Sequence, residues 1–233
     1  MALLEIRGIA KHFGGFTALS GVSIDIAQGE RFGLIGPNGS GKTTLINCVS
    51  GTLQNESGSI VFDGAEITRE PAYKRTRRGI ARSFQVPRPF ASMTVLENLL
   101  VPLEYVGRGK MDEALEIIEQ IGLTGKAATP ASSLTQVELR KLELARAMAA
   151  RPRLLISDEA MAGLSPAEVD EVLPILFELN DAGITIIMIE HIMHAVMRFS
   201  QRVVCLDAGQ IICAGAPEAI VTDAGVQRAY LGA

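Results

Sequence analysis

Nine consecutive residues, Gly36-Pro37-Asn38-Gly39-Ser40-Gly41-Lys42-Thr43-Thr44, carry the plainest chemistry in this 233-residue chain. Their spacing, a glycine, four residues and Gly-Lys-Thr, lets backbone N–H groups turn inward around phosphates while the helix that follows adds the positive end of its dipole. On this reading Lys42 reaches β- and γ-phosphates, and the Thr43 hydroxyl completes the shell of a magnesium ion. A second candidate group is Asp158-Glu159, which closes the apolar run Leu154-Leu155-Ile156-Ser157. Asp158 could hold magnesium through water and Glu159 could polarise the water that attacks a γ-phosphate. The plainer accounts are a chance glycine-rich turn and a solvated strand end. The two motifs in one chain favour nucleotide hydrolysis over either.

These residues need particular elements to place them. Arg31 to Ile35 suits a buried strand delivering the glycine loop, and Leu45 to Val49 continues it as a helix. Leu3 to Arg7 and Val22 to Ile26 alternate apolar and polar, the period of half-buried strands, with the turn Phe13-Gly14-Gly15-Phe16 between them; Ser59 to Phe62 is a further strand. A middle region changes texture. Thr94 to Leu100 carries helical spacing, and the segment from 111 to 121 sets Met111, Leu115, Ile118 and Ile121 on one face. The last third alternates strand and helix, with strands at 153–157, 184–189 and 203–206 and a helix opened by Ser165-Pro166-Ala167-Glu168. A helix is also expected from His191 to about Phe199. The expected fold is α/β: a P-loop NTPase core with a mostly parallel sheet, an N-terminal antiparallel β subdomain and a helical subdomain. As one domain over 1–233, it would place the core with its β subdomain at about 1–86 and 151–233, and the helical part at about 87–150.

Composition narrows the function. Hydrophobic residues make up 48% and charged residues 21%, and the formal net charge is −4, a balance that fits a globular chain and not a coat for nucleic acid. The basic run Lys74-Arg75-Thr76-Arg77-Arg78, with Arg82, reads as a solvated face. Cys48, Cys205 and Cys213 are too scattered for a metal motif, and an odd count is a poor disulfide framework. No apolar run approaches the roughly 20 residues of a membrane helix, and no N-terminal signal segment is visible, so a reducing, non-secretory compartment is expected. No Asn-Lys-x-Asp guanine-reading motif is present, which disfavours a GTPase.

With both phosphate motifs in place, the chain resembles the ATP-binding subunits of ABC transporters nearly end to end, and within them the branched-chain (hydrophobic) amino acid importer subunits. The stretches that carry the resemblance are 79–85 (Gly-Ile-Ala-Arg-Ser-Phe-Gln), 93–98 (Met-Thr-Val-Leu-Glu-Asn), 162–166 (Ala-Gly-Leu-Ser-Pro), Ile189-Glu190-His191 and the tail Arg228-Ala229-Tyr230-Leu231-Gly232. The resemblance implies that Phe13 stacks on adenine, Gln85 senses magnesium and couples to the membrane subunit, and His191 contacts the γ-phosphate. Taken from the residues alone, Phe13 could be core, Gln85 a surface polar residue and His191 a helix-start residue. The implied cofactors are ATP and Mg2+, with Thr43, Gln85 and Asp158 at the metal and Lys42, Glu159 and His191 in catalysis. The implied partners are a second ATPase subunit, two membrane permease subunits and, indirectly, a solute-binding protein. This would hold the chain at the cytoplasmic face of the membrane.

One stretch departs from the family pattern. The family signature Leu-Ser-Gly-Gly-Gln corresponds here to Leu134-Thr135-Gln136-Val137-Glu138. Both glycines are gone, a β-branched Val137 stands where backbone must approach a partner's phosphate, and Glu138 adds negative charge. Ala160 and Ser165 replace a usual proline and a frequent aspartate. The expectation is an asymmetric heterodimer in which this chain's loop binds an ATP hydrolysed against the partner's signature. The alternative is an ATP-dimerising regulatory module with little hydrolysis.

Overall fold

A computed structural model describes residues 2–83, 87–107 and 110–231. The chain opens with two long strands, β1 (Ala2–Phe13) and β2 (Phe16–Ala27), which pair antiparallel across the Gly14-Gly15 turn with Phe13 opposite Phe16. Strand β3 (Arg31–Ile35) delivers the glycine loop, and helix α1 (Lys42–Ser50) follows it. Then come β4 (Ser57–Phe62), which pairs antiparallel with β1, and the short β5 (Ala65–Glu66). Helix α2 (Ala72–Arg77) and strand β6 (Ile80–Ser83) complete the first part.

Three helices occupy the middle of the chain: α3 (Val95–Tyr105), α4 (Met111–Gln120) and α5 (Gln136–Ala149). They pack on one another and, through α5, on β6 and β7 (Leu154–Asp158). Helix α6 (Pro166–Asp181) starts at Ser165 with a reciprocal cap in which the Ser165 hydroxyl accepts the Glu168 N–H. Serine therefore does the capping that aspartate would do. Strand β8 (Thr185–Ile189), helix α7 (Met193–Phe199), strands β9 (Arg202–Asp207) and β10 (Gln210–Gly215), and helices α8 (Pro217–Thr222) and α9 (Ala224–Leu231) end the described chain.

The strands form two sheets, β2-β1-β4-β5 and β10-β9-β3-β8-β7-β6. In the second, β9, β3, β8, β7 and β6 run parallel and only β10 is antiparallel. Its central strands are buried on both faces, and their alternate residues feed two cores. Leu34, Leu154, Ile156, Ile187, Ile189 and Leu206 face the first sheet and α1. Ile35, Leu155, Ile186, Met188 and Cys205 face the helices α3 to α7. Such double burial is why these strands read as continuous apolar runs.

Two sequence expectations fail. In α4 the buried residues are Ala114, Ile117 and Ile118, followed by Ile121, while Met111 is 50% and Leu115 43% exposed. The stripe is rotated because small Ala114, adjacent to acids in sequence, packs inward against α3 and α5, leaving the two larger side chains outside. The basic run is not a solvated face either. Lys74, Arg77 and Arg78 are exposed, but Arg75 is 1% exposed. Its guanidinium donates to the carbonyls of Cys48, Val49, Thr68 and Glu70 at 2.6–3.0 Å. Cys48 and Val49 lie in the last turn of α1, where carbonyls lack intrahelical partners and the dipole favours a cation.

Candidate functional site

The glycine loop is wedged between two neighbouring segments, and this explains its glycines. A Cβ on Gly36, whose φ is +148°, would lie 2.1 Å from the Leu206 carbonyl oxygen at the end of β9; one on Gly41, at φ +106°, would lie 2.5 Å from the Ala18 carbonyl oxygen of β2. Gly209, in the β9–β10 turn, closes the frame: its N–H donates to the Ser40 carbonyl (3.0 Å) and its carbonyl accepts the Ser20 N–H (2.9 Å). Helix α1 then begins without a side-chain cap. Its first N–H groups stay open to a ligand at the positive end of the dipole. The Lys42 ammonium folds over the loop and donates to the carbonyls of Gly36 (2.6 Å) and Pro37 (3.0 Å). Burial lowers its pKa from the ordinary lysine value, against the opposing pull of Glu159 and Asp158.

The loop floors a pocket of about 180 Å³ lined by Phe13, Phe16, residues 38–44, Glu159 and His191, among others. Phe13 is 51% and Phe16 58% exposed, so neither is core. Lys11 lies over the Phe13 ring, 5.3 Å from its centroid. Phe16, which the sequence reading passed over, lines the same pocket from across the Gly-Gly turn. The signal available was the symmetry of two aromatics flanking a two-glycine turn.

Glu159 follows directly on β7 with φ +49°, in the left-handed region that non-glycine residues rarely occupy. Its N–H donates to the Ile189 carbonyl (2.8 Å), and its Oε1 lies 2.8 Å from His191 Nε2. Two parallel strands, β7 and β8, thus end side by side and bring together a glutamate and a histidine 32 residues apart. His191 precedes α7 by two residues, so its ring is committed to Glu159 and not to starting that helix. Backbone strain of this kind persists where the surroundings over-determine it, commonly at functional sites.

Asp158 does not line the pocket. Its Oδ2 accepts two N–H groups of Arg82 (2.6 and 3.1 Å), and Arg82 also donates to Asn47 Oδ1 on α1 (2.7 Å). Arg82 sits on β6, a strand the sequence reading missed because an arginine interrupts its apolar run. Thr43 is exposed in the first turn of α1. Gln85 lies outside the described residues. Among the described residues, no group of three or more His, Cys, Asp or Glu could hold a metal ion. The Thr43 hydroxyl in the pocket and the Asp158 carboxylate held by Arg82 are oxygen donors of the kind magnesium takes, Asp158 acting through water, with substrate oxygens completing the shell.

Leu134 to Glu138 lie away from this pocket, at the start of α5. Leu134 is buried and Val137 packs partly against the helical core. Thr135 and Glu138 form a reciprocal cap: the Thr135 N–H donates to Glu138 Oε2 at 2.9 Å, and the Glu138 N–H donates to the Thr135 hydroxyl. Glu138 Oε1 also meets Lys126 Nζ at 2.6 Å, and this ion pair, with the cap, holds its pKa below the ordinary value. The Glu138 charge, which the family resemblance would set toward a partner's phosphate, is turned back and paired. Gln136 Nε2 donates to the Gly163 carbonyl (3.4 Å) and Arg140 to the Ala162 carbonyl (2.8 Å), so α5 grips the loop that follows Glu159.

The same loop is held from its other side by Glu190, 1% exposed, whose Oε1 accepts the Met161 N–H at 2.8 Å. Burial, above all, raises the Glu190 pKa to about 7. A carboxyl raised in the folded state stabilises below its unfolded pKa of about 4.5 and loses that contribution as pH rises to the folded value. Glu190→Gln, which keeps the acceptor oxygen, is therefore expected to flatten the fall in melting temperature between pH 5 and 7.5. It should leave the variant more stable at pH 8 by at most about 3 kcal/mol. Thermal melts across that range check this, and parallel wild-type and variant curves would refute it.

A phosphate cradle at the carboxyl end of a parallel strand, faced by an acid and a histidine from neighbouring strands, defines a P-loop nucleotide-binding protein. The chain belongs to the ATP-binding subunits of ABC transporters: the ABC transporter family model matches residues 19–162. It is 36% identical to the high-affinity branched-chain amino acid transport ATP-binding protein BraF of Pseudomonas aeruginosa, over 99% of this chain and 98% of that protein. To the corresponding protein LivG of Escherichia coli it is 37% identical, with the same coverage. Among solved structures it is similar to the ADP conformation of an ATP-binding cassette of an ABC transporter, at 32% identity, TM-score 0.92 and full coverage of both chains.

Proposed function

We propose that this chain hydrolyses ATP to power an importer of branched-chain amino acids or a related small solute, working on the cytoplasmic face of the membrane. The observation that carries the reading is the Glu159–His191 pair, held by strained backbone at the mouth of the glycine-loop pocket. The solute class rests on the names of BraF and LivG. In this reading Phe13 stacks on adenine, and the N–H groups of the loop from Gly36 to Thr44 surround the phosphates. Lys42 exchanges its carbonyl partners for β- and γ-phosphate oxygens. Glu159 orients water for in-line attack while His191 contacts the γ-phosphate, so the rate comes mainly from positioning and charge stabilisation. Magnesium, when bound, would neutralise charge on the transferring phosphate; Thr43 and Asp158 would hold it, with Gln85 joining them by family resemblance.

The chain would act as half of a head-to-tail pair, each ATP lying between one subunit's loop and the other's signature. The start of α5, with exposed Gln136 and half-buried Val137, is the surface it would offer. Pairing of Glu138 with Lys126 removes one objection to that surface, and Val137 remains the obstacle. We expect the homodimer to hydrolyse ATP slowly, Val137→Gly to raise its rate about tenfold, and a mixed dimer with a glycine-bearing partner to do so without the substitution. Phosphate release by the three preparations checks this, and full activity of the unmodified chain alone would rule it out. One of the two permease subunits would dock on this chain's groove of about 360 Å³ between α2, α3 and α5, whose lining includes Phe90, Val101, Tyr105 and Arg146. Its rim of exposed apolar side chains, beside β6, fits a partner helix. Among the described residues no helix is long and apolar enough to cross a membrane, so anchorage would come through those subunits.

A further inference from the structure

The tail around Tyr230 finds no use in the site as described, yet it touches the phosphate loop. The pairing of β3 ends with Ile35 opposite Cys205, so the N–H of Gly36 falls past the sheet. It donates to the Tyr230 hydroxyl, 2.8 Å away and 194 residues later in the chain. Gly36 is therefore held at both ends of its backbone, its N–H by Tyr230 and its carbonyl by Lys42. A φ of +148° lets the chain leave the strand there at an angle only glycine tolerates, and such a turn has little stiffness of its own. Tyr230 is in turn fixed by α9. Val226, one turn earlier on the same helical face, is 5% exposed and belongs to the core beneath β9 and β10, and its N–H is capped by Asp223 Oδ1 at 2.9 Å.

We infer that Tyr230 is a positioning residue for the phosphate loop: its hydroxyl fixes the Gly36 peptide so that the loop is preorganised for nucleotide phosphates, and α9 is part of the nucleotide site. This rests on the nucleotide-binding reading of the loop. Coupling of this kind is reciprocal, so nucleotide must strengthen the docking of α9 by the factor through which α9 strengthens nucleotide binding. A tyrosine that merely tied down the tail would show no such exchange.

The experiment uses the full chain and its Tyr230→Phe variant, which removes one hydroxyl and keeps the ring. A fluorescent ADP analogue is titrated into each, and amide hydrogen exchange over 224–231 is followed with and without ADP. The expected result is about tenfold weaker binding by the variant, equivalent to roughly 1.4 kcal/mol, with the melting temperature of the nucleotide-free protein lowered by no more than a few degrees. ADP should slow exchange in α9 of the wild type, and much less in the variant. Binding within twofold of wild type, or exchange in wild-type α9 that ignores ADP, overturns the inference. A wild-type chain that binds no ADP overturns the nucleotide reading itself, and this inference with it.

Discussion

Glu159→Gln is expected to cut phosphate release by the assembled complex at least a hundredfold while leaving ATP binding intact. The substitution preserves size and the capacity to accept a hydrogen bond but removes the basic carboxylate, and a positioned general base contributes about 10²–10⁴ in rate. Binding should survive because, in the proposed reading, the loop backbone and Lys42 hold the phosphates, on a different strand and helix. The strained φ of +49° at Glu159 is set by the Ile189 carbonyl and the turn into Met161, none of which depends on the side-chain charge. The His191 ring, 2.8 Å from Oε1, would keep a partner in the amide. Because nucleotide would bind and not be consumed, the variant should accumulate as an ATP-bound dimer, visible by gel filtration. Hydrolysis at the wild-type rate in the complex would show that Glu159 is not the base.

Arg75→Ala should destabilise the fold by about 3–5 kcal/mol, measured as a shift in the urea unfolding midpoint at constant slope. The guanidinium is buried and satisfies four carbonyls, two of them in the last turn of the helix that carries Lys42. Truncation leaves those acceptors without partners and opens a cavity beside Gly51, where even an added Cβ would sit 2.7 Å from Arg75 Nε. Burial lowers the Arg75 pKa, though an arginine stays charged. A lysine could donate from only one position and should rescue less than half of the loss. A loss below about 1 kcal/mol would mean that water replaces the guanidinium at these carbonyls.

Much of this protein is legible in one dimension because its chemistry depends on local backbone. Gly36 to Thr44 announce a phosphate loop wherever they occur between a buried strand and a helix, since glycine at fixed offsets is what lets N–H groups converge. Thr94, Thr135 and Ser165 are each followed three residues later by glutamate, and all three start helices with reciprocal caps. Strands β3, β7, β8 and β9 are readable as apolar runs because both faces of the sheet are covered there, while β6, interrupted by Arg82, is not. Gln85, which the sequence reading assigned to magnesium, lies outside the described residues.

What required the tertiary structure is everything that joins residues distant in the chain. Whether an arginine faces water or carbonyls is decided by what lies beside it: Arg75 and Arg82 look like their neighbours Lys74 and Arg78 in sequence, yet α1 lies against the former pair. The stripe of α4 was misassigned because periodicity constrains spacing and leaves the choice between adjacent faces to the partner helices. Glu138 reads as a repulsive charge until Lys126, twelve residues earlier, is seen to neutralise it. The hydroxyl of Tyr230 means nothing for phosphate binding until the fold sets it against Gly36. Local sequence determined which groups could do chemistry here; long-range packing decided which of them are charged, oriented and within reach.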